Sequence, residues 1–180
     1  RLRASAAPAH SMRLLVVVLA LLASVSSARA QIGNWSSIEK VNRRLQGRVL
    51  DYTQNHGADR RVFSAILGMP RDLYVYLPPG YNPARAYPLL LYYHMAYLDE
   101  NWFVATNWIA QLDGMISRGE CPPVIVACPD GMIAGENRIH DPHSLFINGV
   151  LGRFEDHILY EVLPFLFGNF SIRPEREAHA

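Results

Sequence analysis

"YPLLLYYH", residues 87–94, carries no formal charge and is apolar or aromatic up to its closing histidine. "PPVIVACPDG", residues 122–131, repeats the pattern and stays uncharged until Asp130. A strand with one solvated face alternates apolar and polar residues, whereas near-continuous apolar runs belong to parallel strands covered on both faces. Between the two runs, Trp108, Ile109, Leu112, Met115 and Ile116 recur at helical spacing up to Gly119, a residue suited to ending a helix. Strand, helix and strand joined this way predict a right-handed βαβ unit.

Working outward, "GRVLDYT" (47–53), "RVFSA" (61–65) and "RDLYVYLPPGY" (71–81) read as three strands in quick succession. Leu73, Val75 and Leu77 share one face, and Pro78, Pro79 and Gly80 end the third strand. Short connections predict antiparallel neighbours. Downstream, Phe154, Ile158, Leu159, Val162 and Leu163 form an apolar helical stripe that Pro164 is expected to bend or end. "EAHA" (177–180) reads as the start of another buried strand. The predicted class is α/β, with antiparallel front strands followed by a parallel βαβ unit.

The 180 residues are half hydrophobic with a formal net charge of +1. That charge misleads, because Arg1, Arg3, Arg13 and Arg29 fall in the first 30 residues, which hold no acid; from Gln31 onward 13 basic residues face 16 acidic ones, a balance of −3. No basic footprint for nucleic acid remains. "MRLLVVVLALLASVSSARA" (12–30) has a positive start, an apolar run from Leu14 to Val25 and small residues at its end, as a secretory signal peptide does. The run's 12 residues fall short of the roughly 20 that span a bilayer. The expected organisation is an upstream or non-native extension at 1–11, the signal at 12–30, a linker at 31–47 and the α/β domain at 48–180. A secreted or periplasmic location with no membrane association after cleavage follows. Cys121 and Cys128 are expected to stay unpaired, since a strand rising about 3.3 Å per residue separates them beyond the roughly 4.4–6.8 Å that a disulfide spans.

In open α/β sheets the ligand sits beyond the carboxyl ends of the strands, which directs attention to the loops after His94 and after Asp130. "HMAYLDENW" (94–102) can turn the backbone N–H groups of Met95 and Ala96 toward a cleft, as an oxyanion-holding loop requires. His94 closes a buried strand and reads as a hydrogen-bonded structural histidine, with pocket lining as its alternative. Trp102 reads equally as pocket wall or loop packing. Asp130 and Gly131 sit near the expected cleft, although a Pro-Asp-Gly turn accounts for them without function. Asp99 and Glu100 are expected, with Asn101, at the start of the Trp108 helix. His140, Asp141 and His143 lack a third spaced ligand position and read as a solvated loop. No metal and no cofactor are expected. Asn34-Trp35-Ser36 and Asn169-Phe170-Ser171 fit the glycosylation pattern.

In order, "DLYVYLPPGY", "YPLLLYYH", a tryptophan eight residues after that histidine, "PPVIVACPDG", "NG…GRFEDHILYEVLPFL" and "IRPERE" resemble the N-terminal half of the "Putative esterase" family. That family of the α/β-hydrolase fold includes feruloyl, acetylxylan and siderophore esterases, S-formylglutathione hydrolase and mycolyltransferases. The resemblance implies the N-terminal part of an α/β-hydrolase sheet, with a serine acyl-enzyme mechanism in the whole protein. It implies oxyanion donors at Met95 and Ala96, an acid at Glu155 that anchors a loop, and a small-molecule or polysaccharide-linked ester as substrate. Relatives carry His-Gly where this chain has His94-Met95. No G-x-S-x-G occurs in the 180 residues. The resemblance therefore places the nucleophile elbow and the triad beyond Ala180, and residues 31–180 alone are expected to be inactive. It also sets the "LLLYY" strand between the "VIVAC" strand and the absent one, an open edge expected to promote aggregation. A polysaccharide-binding pseudoesterase and an acyltransferase on the same scaffold are the alternatives.

Overall fold

The computed structural model of the protein describes residues 37–96, 98–134 and 143–179. Residues 1–36, which include the stretch read as a signal peptide and Asn34-Trp35-Ser36, lie outside the described residues, as do His140 and Asp141.

Four strands form the main sheet: β1 (Arg48–Tyr52), β4 (Leu73–Leu77), β5 (Leu89–Leu91) and β6 (Ile125–Pro129). Their order is β1-β4-β6-β5. β4 runs antiparallel to both β1 and β6, and β5 runs parallel to β6, as the two uncharged runs predict. All five residues of β4 and of β6 are buried. Side chains alternate between the two faces of a strand, so each strand supplies two cores. Leu73, Val75, Leu77, Ile125 and Ala127 face Ile158, Val162 and Leu166 on one side. Tyr74, Tyr76, Val126 and Cys128 face Phe103, Val104, Ile109 and Ile116 on the other. Tyr74 and Tyr76 can be buried because their hydroxyls donate to Asn101 Oδ1 (3.0 Å) and Asp113 Oδ1 (2.9 Å).

The "RVFSA" segment departs from expectation. β2 (Val62–Ser64) pairs antiparallel with β3 (Met69–Arg71) in a separate hairpin. A strand has two hydrogen-bonding edges, and those of β4 are already taken by β1 and β6, so β2 has no place beside β4. A second two-stranded piece, β7 (Asn148–Gly149) and β8 (Gly152–Arg153), precedes the last long helical region.

Among the helices, α1 (Ile38–Asn42) precedes β1, and α2 (Asn101–Ala105) and α3 (Trp108–Ser117) fill the β5–β6 crossover. Gly119, at φ +73°, closes α3: its N–H reaches the Ile116 carbonyl while that of Glu120 reaches Met115, the paired bonds of a left-handed C-terminal cap. Met115, read as part of the apolar stripe, is exposed.

The final helical region runs through α4 (Phe154–His157), a π-helical segment (Ile158–Val162) and α5 (Leu163–Asn169). Pro164 does not end it. Proline lacks the N–H that would reach the Tyr160 carbonyl and its ring would crowd that group, and the wider π turn just ahead accommodates both demands. The buried stripe is Phe154, Ile158, Val162 and Leu166, and Leu159 points to solvent.

The outer side of β5 is not bare. Tyr87 bridges Ile172 and Leu89 bridges His179, both in parallel sense. Of the "EAHA" segment, read as the start of a strand, Glu177 and Ala178 instead lie in a 3₁₀ turn (Arg176–Ala178), and it is His179 that bridges β5, on the side opposite β6. Cys121 and Cys128 are free thiols.

Candidate active-site mouth at the ends of β5 and β6

β5 and β6 are parallel, so their carboxyl ends lie together, and the antiparallel β4 brings its amino end to the same place. The register sets Leu73 opposite Pro129, and Asp130 N–H donates to the Asp72 carbonyl (3.0 Å). Arg71, Asp72 and Asp130 therefore meet, although Arg71 and Asp130 stand 59 residues apart in sequence. The loop after β5 adds Glu100, and carboxylate oxygens of Asp72, Glu100 and Asp130 lie within 4.8 Å of one another, all buried.

Arg71 supplies the positive charge at this cluster. Its Nη2 lies 2.6 Å from Asp130 Oδ2 and donates to the carbonyls of Met132 (2.6 Å) and Asp130 (3.2 Å). One guanidinium does not balance three carboxylates, so protons are retained. Burial, then the Asp130 charge, push the Asp72 carboxyl up to about 7, against a hydrogen bond from Gln54. Burial, followed by Asp130, Asp72 and Asp99, raises Glu100 well above the carboxylate range. Glu100 Oε1 accepts from Asn55 (2.7 Å) and Asn101 (3.0 Å), while Oε2 has no partner among the described residues. The trio could hold a hard cation by its spacing, but the bound guanidinium already occupies one carboxylate. Glu100 thus differs from the sequence expectation: it is buried at the start of α2, not placed at the start of α3. The signal available in sequence was an acid beside each strand terminus, in "RD" before β4 and "PD" after β6; their meeting depends on register.

Above this cluster sits His94, buried. Its Nε2 accepts the Gly131 N–H (2.9 Å), so its proton resides on Nδ1, 3.3 Å from the Met95 carbonyl. Leu98 N–H also donates to that carbonyl (3.1 Å), closing a turn without a left-handed residue at Met95; the positive-φ non-glycine residues among those described are Leu145 and Phe146. The turn therefore does not need a glycine at Met95. The backbone N–H groups of Met95 and Ala96 donate to no partner among the described residues. Met95 is exposed at the rim and Trp102 is half-exposed on α2. Asp130, considered above as pocket lining, is instead buried beneath the mouth.

Gly131 has a packing reason to be glycine. Leu145 (φ 54°) and Phe146 (φ 58°) both adopt left-handed backbone, which costs non-glycine residues of order 1–3 kcal/mol each. The surrounding loop imposes it: Ser144 Oγ donates to the Gly131 carbonyl (2.8 Å) and accepts the Phe146 N–H (3.1 Å). The Phe146 ring is thereby laid over Gly131, where a Cβ would meet it at 2.6 Å, and packs against Tyr93, His94 and His143 with centroids 4.5–5.3 Å away. Gly131→Ala is expected to displace this ring and to cost roughly 1–3 kcal/mol by overpacking; urea unfolding and the ring-current shifts of His94 check it.

One serine, histidine and acid do lie together elsewhere. Glu161 accepts from the Ser64 hydroxyl and from His157 (2.7 Å). The carboxylate stands between serine and imidazole, so the imidazole does not reach the buried Ser64 hydroxyl, and the group ties the β2–β3 hairpin to the π segment. Glu155 is exposed and its side chain makes no hydrogen bond among the described residues; Asp156 holds the loop through Asn148 (2.8 Å) and Arg153 (2.7 Å). Of His140, Asp141 and His143, read as a solvated loop, only His143 lies within the described residues, and it packs against His94. Among the described residues no helix is long and apolar enough to cross a membrane.

The sequence pattern of the family described as "Putative esterase" matches residues 64–180. Among solved structures, a ferulic acid esterase is similar at TM-score 0.63 and 19% identity, over 76% of this chain and 49% of that one. A ferulic acid esterase from Anaeromyces mucronatus, solved with ferulic acid, is similar at TM-score 0.53 and 19% identity, over 74% and 46%. A mutant of the feruloyl esterase module from Clostridium thermocellum, complexed with sinapinate, gives TM-score 0.51 and 25% identity, over 73% and 39%. The shared feature is the mixed sheet of an α/β-hydrolase, and the chain spans about half the length of these esterases or less.

Proposed function

Because the chain belongs to the "Putative esterase" family, we propose that it is the front half of an exported serine hydrolase of carboxylic esters. The observation that carries this reading is the pair of unengaged backbone N–H groups at Met95 and Ala96, beyond the carboxyl end of β5. In acyl transfer a serine attacks the ester carbonyl, and N–H groups fixed in advance hold the oxygen as it gains charge. The protein's own contribution is a loop clamped at both ends, by His94 on Gly131 and by Glu100 in its buried pocket. Tyr93 and Phe146 offer an aromatic wall beside it, suited to an acyl group carried on a plant polysaccharide.

On this reading the nucleophile lies in a continuation beyond Ala180. Reading the coding sequence past Ala180 is the direct test; a continuation that lacks a G-x-S-x-G elbow removes the reading. Residues 31–180 alone are expected to hydrolyse p-nitrophenyl acetate no faster than buffer. In the complete enzyme, Ala96→Pro deletes one N–H donor and is expected to lower kcat about a hundredfold with KM little changed. Steady-state kinetics beside an unchanged circular dichroism spectrum check this.

A further inference from the structure

Asn148-Gly149 is the one Asn-Gly pair in the 180 residues. The pair forms β7, exposed at both positions, and faces β8 with Asn148 opposite Arg153 and Gly149 opposite Gly152. Asn-Gly commonly supplies the two central residues of a tight hairpin turn, but here Val150 and Leu151 hold those places. Gly149 has no left-handed backbone, and a Cβ there would meet nothing within 4 Å, so neither turn geometry nor packing calls for glycine. Both polar atoms of the Asn148 side chain are taken by Asp156 of α4. Nδ2 donates to Asp156 Oδ1 (2.8 Å), and the Asp156 backbone N–H donates to Asn148 Oδ1 (3.2 Å). Arg153 holds the other carboxylate oxygen of Asp156, with Nε at 2.7 Å and Nη2 at 2.5 Å. Hydrogen bonds from Asn148, then Arg153, keep the Asp156 carboxyl below its ordinary range, so it is an ionised acceptor at neutral pH.

We propose that Asn148-Gly149 is a deamidation site that Asp156 holds shut in the fold, and whose conversion releases the β7–β8 hairpin from α4. In the reaction the Gly149 nitrogen gives up its proton and attacks Asn148 Cγ; the Cγ–Nδ2 bond breaks and Nδ2 leaves as ammonia. Water opens the resulting cyclic imide at either carbonyl, leaving aspartate or its backbone-shifted isomer. One water is consumed and one ammonia released, and nothing is oxidised or reduced. A side chain on the attacking residue would crowd this step, and Gly149 has none. A strand holds its side chains out from the chain, so Asn148 must leave the ladder and both Asp156 bonds before Cγ turns onto the Gly149 nitrogen. Local opening and reaction are thereby coupled. The change runs one way, because the product carboxylate has no N–H for Asp156 Oδ1 and sets two like charges where a hydrogen bond stood. The hairpin it frees ends the loop that carries Ser144 and Phe146 to Gly131.

The test incubates the full-length protein in mildly alkaline buffer and follows Asn148 by peptide mass spectrometry. In urea the pair is expected to convert readily, and in the folded wild type at least about tenfold more slowly. Asp156→Ala is expected to regain most of that rate while folded. Asp156→Asn keeps an acceptor for Nδ2 and the same backbone N–H, and Arg153→Ala leaves both Asn148 bonds in place; each is expected to stay near the wild type. A pair inert in urea, a wild type that converts as fast folded as in urea, or an Asp156→Ala as slow as the wild type overturns the proposal. Arg153→Ala accelerated as much as Asp156→Ala also overturns it, since general loosening of α4 would then account for the effect. Release of the hairpin has its own readout. Asn148→Asp is expected to speed backbone hydrogen exchange over residues 148–156, and adding Asp156→Asn, which returns an N–H between the two side chains, to slow it again. Unchanged exchange in Asn148→Asp shows that the hairpin is not released and overturns that half of the proposal.

Discussion

Arg71→Met is expected to destabilise the protein by about 3–5 kcal/mol, the range for removing one partner of a buried ion pair. Arg71 is 2% exposed and Asp130 1%, so water cannot take over the lost charge. The substitution also strands the carbonyls of Asp130 and Met132, which the same Nη2 serves, and removes a cation stacked 5.2 Å from the Phe154 ring. Arg71→Lys keeps the charge but not the branched head that serves the carboxylate and two carbonyls together, and is expected to recover only part of the loss. Asp130→Asn introduced into Arg71→Met is expected to restore stability, because the second change removes the uncompensated buried charge. Urea denaturation of the four proteins closes the cycle; a cost below about 1 kcal/mol for Arg71→Met would show the pair to be solvated.

The second large effect is a dependence on pH that Asp72→Asn removes. The Asp72 carboxyl stands at about 7 in the folded protein against an ordinary value of 3.8. Between those values the folded chain holds a proton that the unfolded chain has released. Stability is therefore fully present below the unfolded value and falls as pH rises toward the folded one. At about 1.4 kcal/mol per unit the whole fall is about 4 kcal/mol. Glu100, also raised, acts in the same direction. His157 and His143, lowered chiefly by burial, act in the opposite direction, so the effect is best read as a difference between variant and wild type. Asp72→Asn retains an oxygen for the Gln54 N–H and carries no charge to bury. It is expected to be more stable than the wild type above pH 7, with the advantage shrinking to nothing near pH 4. Unfolding curves across that interval decide it, and a variant less stable than wild type at pH 8 would mean that Asp72 is ionised and compensated in the fold.

The site was legible in sequence only where its chemistry was local. The loop after His94 was placed by the end of an uncharged run, and Met95 and Ala96 with it. Glu100 was misplaced because an acid beside Asn at a helix start has a sufficient local reason to be there, and nothing nearby in sequence marks the buried carboxylates it joins. Glu155 failed similarly: adjacent Asp156 has the same charge, and only the position of Asn148 and Arg153 selects between them. His143 reads in sequence as a solvated loop residue because its packing against His94 spans 49 positions.

The sequence by itself determined the layers. Apolar periodicity is a local property, and it fixed β4, β5, β6, the helix between the last two and the α/β class, since each element must bury the stripe it carries. Tertiary structure alone decided which polar groups meet. The antiparallel register of β4 on β6 brought Arg71 and Asp72 to Asp130, and the loop strung from Gly131 turned His143 toward His94. Burial of apolar area is non-directional and can be read one segment at a time, whereas a hydrogen bond needs a partner at a set distance and angle. Those partners come from strands far apart in the chain, so their pairing exists only once the register does.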